Sequence, residues 1–192
     1  MHGISFVIPT YNNSTLTVDC IKSICKLNDL KNIDYEIIVV DDFSDNFFFD
    51  DLKKEIINLN LNNISLLKND KNMGPSGSRN KGAKNSKFEY IFFLDYDTQI
   101  QDGGIKNFLD KIVNCDALVG IYDFVPLNKG SFALHKAYLN HFHSYRNNDY
   151  KFDDFAAACG GIKKEVFNKL RGFDENIKWG MDYECEEFGH RL

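Results

Sequence analysis

The chain has 192 residues, a length that suits one domain, and carries 23 Lys and Arg against 28 Asp and Glu, a formal net charge of −5. With 43% hydrophobic residues and only 3 Pro, the composition excludes a disordered, collagen-like or linker-rich chain. The acidic balance argues against nucleic acid as a partner, because nucleic acids favour clustered Lys and Arg.

Short apolar runs rich in β-branched and aromatic residues alternate along the chain with segments of helical periodicity. Strands are predicted at 4–8, 35–40, 64–67, 90–94 and 117–125, and regular structure is expected again at 155–161. Helices are predicted at 14–27, 52–59, 74–86, 105–113 and 163–170, with another around 132–143 inside a less regular excursion, 128–154. The alternation predicts an α/β fold with a mostly parallel central sheet and helices on both faces.

Carboxylates follow two of the predicted strands. Asp41 and Asp42 end the second strand, and Asp95 and Asp97 follow the most hydrophobic one. Open α/β sheets bind ligands outside the carboxyl ends of their strands, so we expect the site there. Two carboxylates one residue apart repel each other unless a cation compensates, and Mg²⁺ or Mn²⁺ binds through such groups plus substrate phosphates. The alternative is a solvated turn with helix-capping acids.

The segment 72–82 combines glycines with Arg79, which could reach a diphosphate. Its sequence matches neither G-x-G-x-x-G nor the Walker A loop. A dinucleotide-binding loop or an ATP-binding P-loop is therefore excluded here.

The chain has five cysteines and no C-x-x-C pair, which indicates a reducing, cytoplasmic location. No apolar run approaches the roughly 20 residues that a membrane-spanning helix needs. Peripheral attachment to the cytoplasmic face of a membrane stays open.

Five segments of the chain form an ordered set: 6–12, 38–44, 72–82, 93–97 and 172–175, the last leading into an acidic helix. Taken together, they resemble the family 2 glycosyltransferases. The resemblance spans Ser5 to Leu192 and implies the GT-A fold, with a Rossmann-like nucleotide-sugar-binding half (1–97) and an acceptor-binding half (98–192) in one catalytic domain. It implies an inverting glycosyltransferase of polysaccharide or glycoconjugate synthesis. Because such proteins usually continue with further helices, we expect a domain truncated at its C-terminus.

The resemblance also assigns roles. It implies a UDP-sugar donor and a divalent cation, Mn²⁺ or Mg²⁺, held by Asp97 with Asp95. Asp95 would also contact the ribose or the sugar. The remaining donor contacts implied are Pro9 and Tyr11 lining the base pocket, Asp42 accepting a hydrogen bond from the base, and Arg79 near the base and diphosphate.

The family's last motif is a Glu-Asp pair whose Asp is the general base, and this chain matches it in two registers. From Trp179-Gly180, Met181 replaces the Glu and Asp182 is the base. From Arg191-Leu192, Glu184 takes the Glu position and Cys185 replaces the Asp. A thiol is a poor substitute for a carboxylate base, so we favour Asp182 over Glu184.

Two alternatives to an active transferase remain. The first is a catalytically degenerate domain kept for nucleotide-sugar binding or scaffolding, which Met181 and Cys185 motivate. The second is a nucleotidyltransferase-like enzyme, although the loop after the first strand lacks the glycine-rich, basic sequence expected of one. For the glycosyltransferase, the excursion 128–154 is expected to supply contacts to a glycan or lipid-linked acceptor, or a lid, and the alternative is a satellite hydrophobic cluster.

Overall fold

Continuous apolar runs form the centre of the molecule, because parallel strands covered on both faces bury every side chain. The computed structural model describes residues 3–145, 154–177 and 183–192, with only the backbone described for 143–145. Its strands are β1 (Ile4–Thr10), β2 (Tyr35–Asp41), β3 (Ile64–Lys68), β4 (Tyr90–Leu94), β5 (Ala117–Val119) and β6 (Cys159–Lys163). All seven residues of β1 are buried.

The helices cover both faces of the sheet, as predicted. They are α1 (Ser14–Cys25), α2 (Asn46–Asn58), α3 (Gly74–Asn85), α4 (Gly104–Ile112), α5 (Ser131–Tyr145), α6 (Lys164–Lys169) and α7 (Tyr183–Arg191), with one 3-10 turn at Asn28–Leu30. One core packs α1, α2 and α4 against the sheet, and the second packs α3, α6 and α7 against its other face. Within the described residues, no helix is long and apolar enough to cross a membrane.

The sheet order is β3-β2-β1-β4-β6-β5. The first four strands are parallel, and β6 lies antiparallel to both β4 and β5. The prediction of a mostly parallel sheet is therefore right for β1–β4, and the antiparallel β6 is an addition to it.

Two element predictions need correction. The strand predicted at 117–125 ends at Val119, because β6 offers β5 only a three-residue register, from Ile162 to Gly160. The regular structure expected at 155–161 begins only at Cys159 and runs to Lys163, while Phe155 and Ala157 are buried without being part of a strand. The helix predicted at 132–143 is confirmed inside α5.

Candidate active site

The order in which strands join the sheet changes sides at β1. Strands β2 and β3 extend from one edge of β1, whereas β4 pairs with its other edge. At such a switch point the connections after the two neighbouring strands diverge and leave a crevice for ligands. Tyr11 follows β1 and Asp95 follows β4, so both stand at this crevice.

The turn Asp95–Asp97 presents two carboxylates in different environments. The backbone N–H of Asp95 donates to the carbonyl of Ala158 at 3.0 Å, and Thr98 closes the turn on the Asp95 carbonyl. The Asp95 side chain is 32% exposed and paired, whereas Asp97 is exposed. Burial, followed by the charges of Asp95 and Asp97, raises the pKa of the Cys20 thiol far above its usual range. The two carboxylates therefore add to the effect of burial on this neighbouring thiol.

The carboxylate oxygens of Asp97 are suitable ligands for a divalent cation. Among the described residues, no hydrogen bond or ion pair engages its carboxylate, and no three His, Cys, Asp or Glu side chains come together as a complete metal site. Mg²⁺ and Mn²⁺ bind through one or two carboxylates and take further ligands from phosphates and water. A carboxylate pair beside an open crevice suits that requirement.

Arg79 faces inward rather than into the crevice. Its Nη2 donates to Asp95 Oδ1 at 2.8 Å and its Nη1 to Glu184 Oε1 at 3.1 Å, while the guanidinium lies 5.7 Å from the ring centre of Phe173. The residue is 3% exposed, and its Nε is buried without a partner. Burial alone would lower the pKa of Arg79, but the charge of Asp95 helps to raise it above the ordinary value. Arg79 therefore joins the turn after β4 to helix α7.

Asp42 caps the N-terminus of helix α3, although it lies 32 positions before Gly74 in the chain. Its Oδ1 accepts from Asn69 Nδ2 at 2.7 Å and from the backbone N–H of Met73 at 2.8 Å, and its Oδ2 accepts from Gly74 N–H at 2.8 Å. These donors include N–H groups at the start of α3, which have no partner inside the helix. The carboxylate is 5% exposed. Its predicted hydrogen bond to a base stays a prediction.

Exposed aromatic side chains follow both β1 and β2 at this edge of the sheet. Tyr11 is 49% exposed, and Phe43, which the sequence reasoning missed, is 51% exposed with φ of 67°. A large apolar residue directly after the two acids at a predicted strand end was the sequence signal that could have identified Phe43. Pro9 is buried within β1, so it lies beneath this edge.

The loops that carry these aromatics are tied together. The backbone N–H of Asn12 donates to Ser44 Oγ at 2.8 Å, and Asn12 Oδ1 accepts from the Asp45 N–H at 2.9 Å. The loops after β1 and β2 therefore form one unit on which a planar ring could stack.

Helix α7 carries two candidate residues of the last motif and places their side chains in different surroundings. Glu184 is 5% exposed and bound to Arg79. Cys185 is 3% exposed in the core with Phe155 and Phe188, and burial raises the pKa of its thiol to about 12. Cys185 is thus a neutral core side chain and not a base. Asp182, together with Trp179, Gly180 and Met181, lies outside the described residues.

The family assignment rests on the sequence match over this architecture. The sequence profile described as glycosyl transferase family 2 matches residues 5–171. The chain belongs to glycosyl transferase family 2. The match includes β1, the turn after β4 and the whole of α3, and it stops before α7.

Two curated relatives illustrate this family membership. Poly(ribitol-phosphate) beta-N-acetylglucosaminyltransferase TarP of Staphylococcus aureus is 33% identical over 130 residues, which cover 64% of this chain and 37% of TarP. The GalNAc(5)-diNAcBac-PP-undecaprenol beta-1,3-glucosyltransferase of Campylobacter jejuni is 33% identical over 114 residues, 58% of this chain and 35% of that enzyme. The chain therefore matches little more than a third of either relative.

Solved structures support the fold of this family 2 chain. The crystal structure of GalNAc-T7 with UDP, GalNAc and Mn²⁺ superposes with a TM-score of 0.73 at 19% identity, covering 98% of this chain and 39% of GalNAc-T7. The predicted GT-A fold is confirmed by this likeness.

Proposed function

We propose that this family 2 chain is an inverting glycosyltransferase. It transfers a sugar from a nucleoside-diphosphate sugar, in which the nucleotide is UDP, to a glycan or lipid-linked acceptor in polysaccharide or glycoconjugate synthesis. The observation that carries the proposal is the pair Asp95–Asp97 at the switch point, with Asp95 fixed by Arg79 and Asp97 exposed. The exposed ring of Tyr11 lies at the same crevice, where a nucleobase would stack.

Asp97, assisted by Asp95, would hold Mn²⁺ or Mg²⁺ against the donor diphosphate. Such a cation neutralises the negative charge that develops on the departing nucleoside diphosphate. The protein's part is to hold the two carboxylates in place. The hydrogen bond from Arg79 to Asp95, at 2.8 Å, supports that role.

Asp182 is the general base of the proposal, taking the proton of the acceptor hydroxyl as it attacks the anomeric carbon. Glu184 is the other candidate, but Arg79 already binds its buried carboxylate. A base must lie within hydrogen-bond reach of the hydroxyl proton and be able to accept it, so the buried ion pair counts against Glu184. Both curated relatives are named as beta transferases, and inversion of an α-linked donor gives a β linkage.

Donor turnover tests the proposal directly. Release of UDP or GDP from a panel of nucleotide sugars is measured with Mn²⁺, with Mg²⁺ and with chelator, in the native chain and in Asp97→Ala. We expect metal-dependent release that falls at least about a hundredfold in the variant, the range that one transition-state contact contributes. The exposed Asp110→Ala on α4 is the matched control and should behave as the native chain does. A turnover rate that neither chelator nor Asp97→Ala changes would refute the proposal.

A degenerate binding domain is the second candidate, and Cys185 is the observation that favours it. In one of the two registers this buried thiol stands where the family has its base. That candidate predicts tight metal-dependent nucleotide binding by calorimetry and no transfer to any acceptor. Replacement of Asp182 by Asn separates the two, because only the active enzyme would lose transfer while keeping donor binding.

A further inference from the structure

An exposed apolar surface runs along helix α5 and the segment 121–127 that leads into it. About half of the large hydrophobic side chains exposed in the described chain lie between Ile121 and Phe142. Phe132 is 79% exposed and Leu127 is 69% exposed. Soluble proteins rarely expose large contiguous apolar patches, and such patches mark interaction sites. This stretch is therefore a candidate interaction surface.

Helix α5 directs its large apolar side chains away from the core. The small or polar residues Ala133, Ala137 and Asn140 are half-buried. The large apolar side chains of the same helix are exposed: Phe132, Leu134, Tyr138, Leu139 and Phe142. With 3.6 residues per turn, these five side chains fall on one side of the helix. A surface helix ordinarily buries such a stripe against its own core, so the outward stripe of α5 indicates a partner outside it.

Ring contacts join the segment 121–127 to the helix. Phe124 stacks on Tyr138 of α5 with ring centres 6.1 Å apart and meets His141 edge to face at 5.6 Å. His141 Nδ1 lies 2.7 Å from the Tyr122 carbonyl oxygen. The segment and the helix therefore present one surface.

The same stretch is free of acids in a chain that is otherwise rich in them. From 125 to 145 the sequence has no Asp or Glu, although the whole chain carries 28. Lys129 and Lys136 are exposed within it. Asp123, the acid just before it, already accepts hydrogen bonds from Gln101 Nε2 at 2.9 Å and from a backbone N–H. The surface is therefore apolar and cationic, and its charge is opposite in sign to the chain's net charge of −5.

Apolar side chains, aromatic rings and lysines without acids are the combination that a helix lying on an anionic membrane presents. The apolar side chains of such a helix enter the boundary between headgroups and acyl chains, its rings settle at headgroup level, and its lysines meet lipid phosphates. A second copy of this chain fits the surface less well. Symmetric pairing of α5 would place the lysines of both copies at one interface, with no acid of the stretch to pair with them.

We propose that helix α5 and the segment 121–127 bind the surface of an anionic phospholipid bilayer. Phe132, Leu134 and Leu139 enter its headgroup region, and Lys129 and Lys136 contact lipid phosphates. Because α5 has 15 residues and a membrane span needs about 20, the helix lies on the bilayer and does not cross it. The inference goes beyond the proposed function, since binding to lipid requires neither donor nor acceptor.

Co-sedimentation with lipid vesicles tests the surface in the absence of any nucleotide sugar. The full chain is titrated with vesicles of phosphatidylcholine alone and of phosphatidylcholine mixed equally with phosphatidylglycerol. We expect binding to the mixed vesicles, little binding to the neutral ones, and a loss of at least about tenfold in Phe132→Ser. Phe47→Ser is the matched control, because Phe47 on α2 is 77% exposed and lies outside this surface. Leu139→Ser gives a second apolar variant.

Lys136→Gln measures the electrostatic contribution. One lysine close to an anionic surface changes the affinity about fivefold, so Lys136→Gln should weaken binding to the mixed vesicles by that factor. Lys54→Gln on the exposed side of α2 removes the same charge elsewhere and should leave binding unchanged. Added salt should weaken the binding of the native chain, because it screens the attraction between exposed charges.

Three outcomes would overturn the proposal. The first is no binding to the mixed vesicles, or binding that Phe132→Ser and Leu139→Ser leave equal to that of Phe47→Ser. The second is binding that only Lys136→Gln weakens, because the apolar side chains then take no part. The third comes from light scattering after size-exclusion chromatography. A native dimer that Phe132→Ser dissociates, without vesicle binding, would assign the surface to a second copy of the chain.

Discussion

Arg79 Nη1 donates a hydrogen bond to Glu184 Oε1 at 3.1 Å, although the two residues stand 105 positions apart in the chain. The same guanidinium binds Asp95 at 2.8 Å. One buried cation thus fixes the turn that carries the proposed metal ligands and the helix that follows the proposed base. This shared contact makes Arg79 a positioning residue for both sides of the proposed reaction centre.

Replacing Arg79 by Met should destabilise the chain by about 3 kcal/mol or more, because it leaves the buried Glu184 without a counter-charge. Urea unfolding measures the loss. Arg171→Met is the matched control, since Arg171 is exposed, and it should stay within about 0.5 kcal/mol of the native chain. Equal stability of the two variants would contradict the proposed importance of the ion pair. In a functional assay, Arg79→Lys should lower kcat for transfer more than it changes KM for the donor.

Asp42→Ala should destabilise the chain by about 2 kcal/mol, because Met73, Gly74 and Asn69 lose their acceptor together. Asp51→Asn on the exposed surface of α2 is the control, with a change expected below about 0.5 kcal/mol. The midpoint and slope of urea unfolding report both. A loss of UDP affinity in Asp42→Asn, beyond any loss of stability, would indicate the predicted base contact as well. If Asp42→Ala is as stable as the native chain, the capping role is wrong.

Gly82→Ala should destabilise the chain by about 1–3 kcal/mol through overpacking. A Cβ at this position of α3 would lie 2.3 Å from Val7 Cγ1 of β1, which forces the helix away from the sheet. Gly104→Ala in α4 is the contrasting variant, since its nearest neighbour would lie at an ordinary 3.6 Å. Removing a helical glycine there should be neutral or stabilising by up to about 1 kcal/mol. Thermal unfolding compares the pair, and a reversed order would refute the close approach of α3 to β1.

The free energy of unfolding should fall as the pH rises above about 9. Burial raises the pKa of Cys185 from 9.0 in the unfolded chain to about 12 in the folded one. A group that holds its proton more tightly in the folded state stabilises that state fully below its unfolded pKa and loses the contribution as the pH rises to the folded pKa. Each such thiol contributes a slope of about 1.4 kcal/mol per pH unit in that window. Cys185→Ala should therefore show a shallower decline between pH 9 and 11, and identical slopes would contradict the buried neutral thiol.

The sequence pattern was a good guide to β1–β4, because strands buried on both faces are continuous apolar runs that end abruptly in polar residues. It also placed Asp95 and Asp97 at a strand end. The local sequence pattern could not indicate which distant side chains pair with one another in the fold. Nothing near Arg79 in the sequence indicates that its guanidinium pairs with Glu184, 105 positions further along the chain.

The errors follow from tertiary contacts as well. The residues after Val119 have apolar character, yet their strand ends where β6 stops pairing. The role of Asp42 in capping α3 could not be predicted either, because its three donors come from Asn69 and the start of α3. Phe43 received no role from the sequence, because the exposure of its ring is visible only in the folded chain.

The insertion of β6 between β4 and β5 has a consequence for the order in which the molecule assembles. Among the described strands, β5 pairs with β6 alone, so Ala117–Val119 must wait for Cys159–Lys163 before it can join the sheet. The β1–β2–β3 unit needs no such wait, and contacts between distant chain segments form late because their loops are costly to close. In native-state hydrogen exchange, the amides of β5 should therefore open before those of β1. The edge of the sheet at β5 would therefore form after the β1–β2–β3 unit and loosen before it.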